Sequence, residues 1–364
     1  MRIDSIDIRE VSGEVTGAKS ATSEWSARAG MMLHVRTPDG LVGQGEASPL
    51  PGYSSDAYAP ALAALRNVDW ASLPEPEAPA RTEELLDRLD AISDGALPPA
   101  ARFALETAYL DLVGQRASQP IWRLLGGTIG PPSPVPVSSL IGSADDAGVV
   151  DSARAAIGRG VASVKLKLSG PSPDERIARV RALRAAIGNA GLRLDANGSL
   201  PPDRALSELA KFRELDVEFI EEPVPSSALD SVVDPPVPIA FDETLQDPNV
   251  WSRVEPALNQ LGCVALVLKP MALGGFSKCL RWAHVARGHG LHVTVSHLFD
   301  GPLALTACAH LALAIGSRRY GSGLDPHGAL RAWPVAHLPL HSGSAIVAND
   351  RPGLGIDPLV GVRA

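Results

Sequence analysis

The stretch Ser163-Val164-Lys165-Leu166-Lys167-Leu168-Ser169 is short, apolar, and carries two lysines two residues apart. In a β-strand successive side chains point to opposite faces. Lys165 and Lys167 therefore share one face, while Val164, Leu166 and Leu168 share the other. Taken alone, the segment reads as an amphipathic strand with one wet face. Lysine usage argues for more than that. Only six of the 33 basic residues are lysine (Lys19, Lys165, Lys167, Lys211, Lys269 and Lys278); the rest are arginine. Burial and neighbouring charge can bring a lysine towards neutrality, whereas arginine stays charged. A chain that relies on arginine for its surface has placed two lysines side by side on one strand, which favours chemistry.

Working outward, short apolar segments alternate with Ala/Arg/Leu-rich helical stretches. Strands are predicted at 135–141, 163–169, 192–196, 218–222, 238–242, 264–269, 292–297 and 320–324. Eight β–α units of about 30 residues or fewer predict an α/β fold, a (β/α)8-type (modified (β/α)7β) TIM barrel over 134–330. An open doubly wound sheet would usually show a glycine-rich phosphate loop after a strand, and none is present. Residues 1–125 read as an α+β capping domain. Its predicted strands are 2–11, 31–36 and 41–47, and its predicted helices 57–66, 81–92 and 99–115. Thr37-Pro38-Asp39-Gly40 is hairpin chemistry. Ser12 to Gly30 reads as a loop, small and polar apart from Trp25. Gly45-Glu46-Ala47-Ser48-Pro49-Leu50-Pro51-Gly52-Tyr53-Ser54 reads as a rigid loop with an aromatic tip. Asn67 to Ala80 reads as a connector and Thr128 to Pro134 as a linker. Residues 331–364 form a Pro- and Gly-rich tail that returns to the first domain.

Bulk properties narrow the partners. A formal charge of −8 leaves no basic stripe for nucleic acid. No run approaches the ~18–20 apolar residues of a membrane span, and the N-terminus lacks an apolar signal core. Cys263, Cys279 and Cys308 have no metal-like spacing and suit a reducing cytosol, so a cytoplasmic location is expected. Asn197-Gly198-Ser199 matches a glycosylation sequon, here without an export signal. The expected partner is a small-molecule carboxylate; nothing in the sequence sets the oligomeric state.

In such barrels catalytic residues sit at the C-terminal ends of strands. The predicted strand ends carry Lys165 and Lys167, then Asp195, Glu221, Asp242 and Lys269, separated from Lys167 onward by 28, 26, 21 and 27 residues. One carboxylate after a strand reads equally well as a helix cap. Three in succession, flanked by lysines, would repel one another without a cation. A hard divalent ion, Mg²⁺, resolves that repulsion. Lysine bases working beside Mg²⁺ suit removal of a proton α to a carboxylate, with the charge passing to an enediolate.

The same motifs resemble the enolase superfamily, in its muconate-lactonizing-like subgroup. They are Lys165-Leu166-Lys167, Asp195-Ala196-Asn197-Gly198, Ile220-Glu221-Glu222-Pro223, Asp242-Glu243-Thr244, Lys269-Pro270 and Gly274-Gly275. Ala101 to Glu106, Asp111-Leu112 and Leu124-Leu125-Gly126-Gly127 look like the end of its capping domain. The 45–54 loop looks like that of o-succinylbenzoate synthases of menaquinone biosynthesis. The resemblance implies Mg²⁺, with Mn²⁺ as a substitute, on Asp195, Glu221 and Asp242. It implies Lys167 as base and then acid in a syn-dehydration of 2-succinyl-6-hydroxy-2,4-cyclohexadiene-1-carboxylate. Lys269 would stabilise the opposite face by a cation–π contact, and Lys165 would polarise the carboxylate and lower the pKa of Lys167.

Trp25, Pro51, Gly52, Tyr53, Asn197, Ser296, His297 and Asp325 are the expected substrate contacts. Loops at about 15–28 and 45–56 are the expected lid, the first of them mobile. Rival readings are N-acylamino acid racemase, which uses the same two lysines, and dipeptide epimerase. Dipeptide epimerases place Asp-x-Asp where this chain has Gly323-Leu324-Asp325-Pro326-His327, with one Asp. Ser296-His297 resembles the His motif of mandelate-racemase-like members, but Lys269 stands where the partner Asp belongs. A different class, a non-catalytic metal-binding barrel, predicts no activity to lose on mutation of Lys167.

Overall fold

The computed structural model describes residues 3–19, 24–70, 73, 75, 82–93, 97–126, 131–141, 146–168, 170, 172–333 and 337–358. Three antiparallel strands begin the chain: β1 (Ser5–Lys19), β2 (Glu24–Arg36) and β3 (Val42–Ala47), in the order β1-β2-β3. Helices α1 (Tyr58–Arg66), α2 (Thr82–Ser93) and α3 (Pro99–Ala117) follow, with the short α4 (Ile121–Leu124). Much of the connector before α2, and 128–130 of the linker, lies outside the described residues.

The loop expected from Ser12 to Gly30 is instead the far end of a hairpin. Ser12 pairs with Ala29, Gly13 with Arg28 and Ala18 with Trp25, across a register shift between Glu14 and Ala18. The small polar residues gave no alternating apolar face, so nothing marked the segment as strand. Backbone pairing does not need that signal. Gly13 lies against Ala332, at the start of the tail just beyond the barrel. The loop expected at 15–28 is thus corrected over its described residues to strand, which carries Trp25 to the cavity; 20–23 lie outside them.

Helix α3 is buried from Ala100 to Gly114, including Arg102, Glu106 and Asp111. It runs between β3 and the barrel helices. Gly45 permits this, because a Cβ there would stand 2.0 Å from the Ala104 carbonyl oxygen.

The second half is a curled parallel sheet. Its strands are β5 (Ser138–Ile141), β6 (Ser163–Lys167), β7 (Gly191–Asp195), β8 (Val217–Glu221), β9 (Ile239–Phe241), β10 (Cys263–Leu268) and β11 (His292–Val295), hydrogen-bonded in sequence order. The helices between them include α5 (Asp146–Gly158), α6 (Pro173–Ile187), α7 (Ala205–Phe212), α8 (Pro248–Val254), α9 (Pro270–Leu273), α10 (Phe276–Gly288) and α11 (Pro302–Ile315). The predicted eighth strand is reduced to two single bridges, Ser296↔Gly323 and Val137↔Ser322. Both edges of the sheet thereby meet one segment and the barrel closes. Gly323 allows the contact: a Cβ there would meet Ser296 Oγ at 2.7 Å.

A two-residue strand β4 (Val135–Pro136) pairs with the tail hairpin β12 (His341–Ser342) and β13 (Ala345–Ile346). Farther on, Leu354 N–H donates to Asp111 Oδ1 at 2.9 Å, and Ile356 accepts from Gln44 Nε2 at 3.1 Å. The tail therefore touches both domains. No helix among the described residues is long and apolar enough to cross a membrane.

Candidate active site at the mouth of the barrel

Strand register brings the predicted residues together. Lys167 pairs with Asp195, and Asp195 with Glu221, as cross-strand neighbours. On β6, Val164 and Leu166 face the apolar core, so the two lysines face the barrel interior. Lys165 Nζ lies 2.9 Å from Glu221 Oε2 and 3.2 Å from Asp195 Oδ2. Lys167 Nζ lies 3.2 Å from the same Asp195 oxygen and 3.0 Å from Asn197 Oδ1. Across the mouth, Lys269 Nζ lies 2.5 Å from Asp242 Oδ2 and donates to Tyr53 Oη at 2.8 Å. The Tyr53 hydroxyl in turn donates to Asp242 Oδ1 at 2.7 Å. The Lys269 ammonium is also 4.2 Å from the Tyr53 ring centroid.

These contacts set the charge states. Burial pushes Asp195 up, but Lys167, Lys165 and Lys269 overcome it and hold the carboxyl below its usual range. Burial pulls Lys165 down, and Glu221, Asp195 and Asp242 more than reverse that, so it stays an ammonium. Lys269 is likewise raised, against burial, mainly by Asp242. Burial keeps Glu221 raised despite Lys165.

Two further acids complete the cluster. Glu222 adopts φ +42°, a left-handed conformation rare outside glycine. Its carboxylate accepts from Asp242 N at 2.7 Å, Thr244 N at 2.8 Å and Thr244 Oγ1 at 2.9 Å. It thus fixes the end of β9 against β8, and burial pushes it up to about 7. Glu243 Oε1 accepts from Asn197 Nδ2 at 2.8 Å, while its buried Oε2 has no hydrogen-bond partner among the described residues. Burial, with Asp242 close by, pushes Glu243 up to about 8.

Among the described residues no three acidic, histidine or cysteine side chains close into a ready metal cage. The three predicted ligands are each in contact with a lysine Nζ instead. The donor set nevertheless fits a hard dication. Five carboxyl groups sit here, on Asp195, Glu221, Glu222, Asp242 and Glu243, beside three lysines, and burial raises three of them, Glu221, Glu222 and Glu243, which a bound dication would favour in their ionised form.

A cavity of about 450 Å³ opens over this cluster. Trp25, Tyr53, Ser296, His297 and Asp325 line it, as do Lys165, Lys167 and Lys269. Pro51 and Gly52 shape the loop rather than line the cavity, and the Pro51 carbonyl accepts from Trp25 Nε1 at 2.9 Å. Asn197, expected at the substrate, is held between Lys167 and Glu243 and borders a separate small cavity. Asp325 accepts from Ser139 Oγ and from Arg159 Nη2, the latter at 2.7 Å. Sequence reasoning missed Ser139 and Arg159, since neither stands at a strand end in the barrel pattern.

It also missed the interdomain fastening. Arg28, buried on β2, donates to the Pro49, Ser48 and Phe299 carbonyls. Glu46 accepts from Ser48 Oγ at 2.7 Å, Gly301 N at 2.7 Å and Ala304 N at 3.1 Å, at the start of α11. Burial and then Asp300 push Glu46 up to about 7. The 45–54 loop is thus tied to the turn after β11.

Known proteins share this architecture. Residues 7–126 match the family described as Mandelate racemase / muconate lactonizing enzyme, N-terminal domain, and 148–360 match Enolase C-terminal domain-like. The N-succinyl-L-Arg/Lys racemase of Bacillus cereus is 25% identical over 92% of this chain and 89% of its own length. The o-succinylbenzoate synthase of Desulfotalea psychrophila is 28% identical over 74% of this chain and 79% of its own. The dipeptide epimerase of Methylococcus capsulatus, crystallised with Mg and the dipeptide L-Arg-D-Lys, superposes with TM-score 0.81 at 26% identity. That match covers 98% of this chain and 99% of the other.

Proposed function

The chain belongs to the enolase superfamily, in the mandelate racemase / muconate lactonizing enzyme family, and from that premise we propose that it is an o-succinylbenzoate synthase. In this reading it dehydrates 2-succinyl-6-hydroxy-2,4-cyclohexadiene-1-carboxylate, with Mg²⁺ held by Asp195, Glu221 and Asp242. The observation that carries the chemistry is the placement of Lys167 and Lys269 on opposite sides of the mouth, each against a carboxylate.

Bound Mg²⁺ would supply positive charge to the carboxylate end of the substrate. Lys167 removes the α-proton, and the resulting ammonium returns a proton to the departing hydroxyl on the same face. Lys165, kept charged by Glu221 and Asp195, lies beside the carboxylate as negative charge grows there. Lys269 faces the other side of the ring, directed by Asp242 and Tyr53. Trp25 and Tyr53 cover the cavity and limit bulk water.

One observation supports the synthase against a dipeptide epimerase: Asp325 is already paired with Arg159 and Ser139, leaving it a poor seat for a substrate ammonium. A second reading, N-acylamino acid racemase, is favoured by the same pair of opposed lysines and by the Bacillus cereus relative. The test is turnover of the cyclohexadiene substrate with Mg²⁺, followed as loss of diene absorbance beside Lys167→Ala. Metal-dependent loss that vanishes in the variant supports the synthase. No turnover, together with α-proton exchange of N-succinylamino acids in deuterated water, would move the assignment to the racemase.

A further inference from the structure

The turn that follows β11 fixes one tautomer of a histidine at the cavity wall. His297 lines the cavity together with Lys269. Phe299, two residues on, takes φ +56°, and this left-handed twist folds its N–H back onto His297 Nδ1 at 2.9 Å. An Nδ1 that accepts a hydrogen bond carries no proton, so the hydrogen of the neutral ring sits on Nε2. Nε2 has no hydrogen-bond partner among the described residues.

Aromatic contacts hold the ring in place. His297 stacks on His327 at 4.4 Å and 23°, and meets Phe299 edge-on at 6.0 Å. The titratable groups that act on it most strongly, His327, Lys269, His341 and Lys165, are all basic, while Asp325 and Glu221 line the same cavity. The ring therefore has a donor where a base would need a lone pair.

We propose that His297 positions the substrate by donating its Nε2 hydrogen to a carbonyl oxygen in the acyl arm that lies beside the reacting carboxylate. This rests on the reading above, in which both candidate substrates carry such an oxygen: the ketone of a succinyl arm or the amide of an N-acyl group. His297 is then a specificity contact that serves either chemistry.

The experiment compares wild type, His297→Gln and His297→Leu on the cyclohexadiene substrate and on an N-succinylamino acid. Glutamine keeps an N–H donor but is no base. The expected result is a KM raised by about 10-fold or more in His297→Leu, and a change of about 5-fold or less in His297→Gln. The limbs of the pH–rate profile should stay in place in both variants. Equal inactivity of both variants, with loss of the acid limb, would make His297 a base and overturn the proposal. A His297→Leu enzyme matching wild type would overturn it as well.

If wild type turns over neither substrate, the function reading fails on its own. The proposal is then decided by nitrogen-15 NMR of the wild-type imidazole with Mg²⁺ and o-succinylbenzoate, which carries the same keto arm. A protonated Nε2 whose resonance moves on binding supports it. A proton on Nδ1, or an unmoved resonance, overturns it.

Discussion

Lys165 and Lys167 converge on a single oxygen: both Nζ atoms lie 3.2 Å from Asp195 Oδ2. The alternation of a β-strand puts the two lysines on one face, and register with β7 puts the acid beside them. Lys165 has Glu221 as a second carboxylate, whereas the second partner of Lys167 is the neutral Asn197 amide. Of the two, Lys167 is the one nearer the open end of the strand, with a neutral amide as its second partner.

Lys167→Ala should therefore lower turnover by about 10²–10⁴-fold, the usual worth of a positioned general base, with circular dichroism and melting temperature unchanged. Lys269→Ala should fall steeply too, since the opposite face loses its cation. Retention of more than a tenth of wild-type turnover by Lys167→Ala would remove that lysine from the proton transfer.

Tyr53 spans the other side, accepting from Lys269 and donating to Asp242. Tyr53→Phe removes both bonds while keeping the ring. A hydrogen bond to a charged group is worth about 1.5–3 kcal/mol, so kcat/KM should drop by roughly 10–100-fold. Steady-state kinetics within 2-fold of wild type would show that the hydroxyl is idle.

Five buried carboxyl groups at the barrel mouth, three of them raised by burial, predict a metal-dependent melting temperature. Mg²⁺ should raise it in a concentration-dependent way by mass action, and a chelator should lower it and abolish turnover. Asp195→Asn should blunt the shift. A melting temperature indifferent to Mg²⁺ across the range that supports turnover would count against a site on these carboxylates.

Asp111 is a pH probe of the capping domain. Burial pushes it up to about 7, although Leu354 N–H, Gln115 and Gln44 N–H pull the other way. Its folded value thus lies above the unfolded one of about 3.9. The folded state binds more protons between those values, so its contribution is present below about pH 4 and lost as pH rises through about 7. Asp111→Asn does not titrate. Urea midpoints should show wild type losing stability relative to the variant between pH 5 and 8; a constant difference would contradict the raised value.

Much of the site was legible because barrel chemistry sits at strand ends. Lys165, Lys167, Asp195, Glu221, Asp242 and Lys269 recur at β–α spacing, and the strand register makes them neighbours. What escaped depends on contacts between residues far apart in the chain. Nothing in Ser12 to Gly30 signals strand, because the hairpin is specified by backbone pairing and by the close approach of Gly13 to Ala332. Arg159 stands after α5, away from any strand end, and its role depends on where Asp325 lands. The eighth segment reads as a full strand, yet two bridges suffice where glycine lets the edges touch.

Arg28 and Glu46 join the 45–54 loop to the turn at 297–301, so the two walls of the substrate cavity are mechanically one part. Grafting the loop of a relative onto this chain would leave Arg28 and the α11 amides reaching for carbonyls and a carboxylate set at other heights. Exchange of substrate range between members should accordingly succeed when hairpin, loop and turn travel together, and fail when the loop travels alone. The heritable unit of specificity here is a set of three distant segments, and divergence in any one of them constrains the other two.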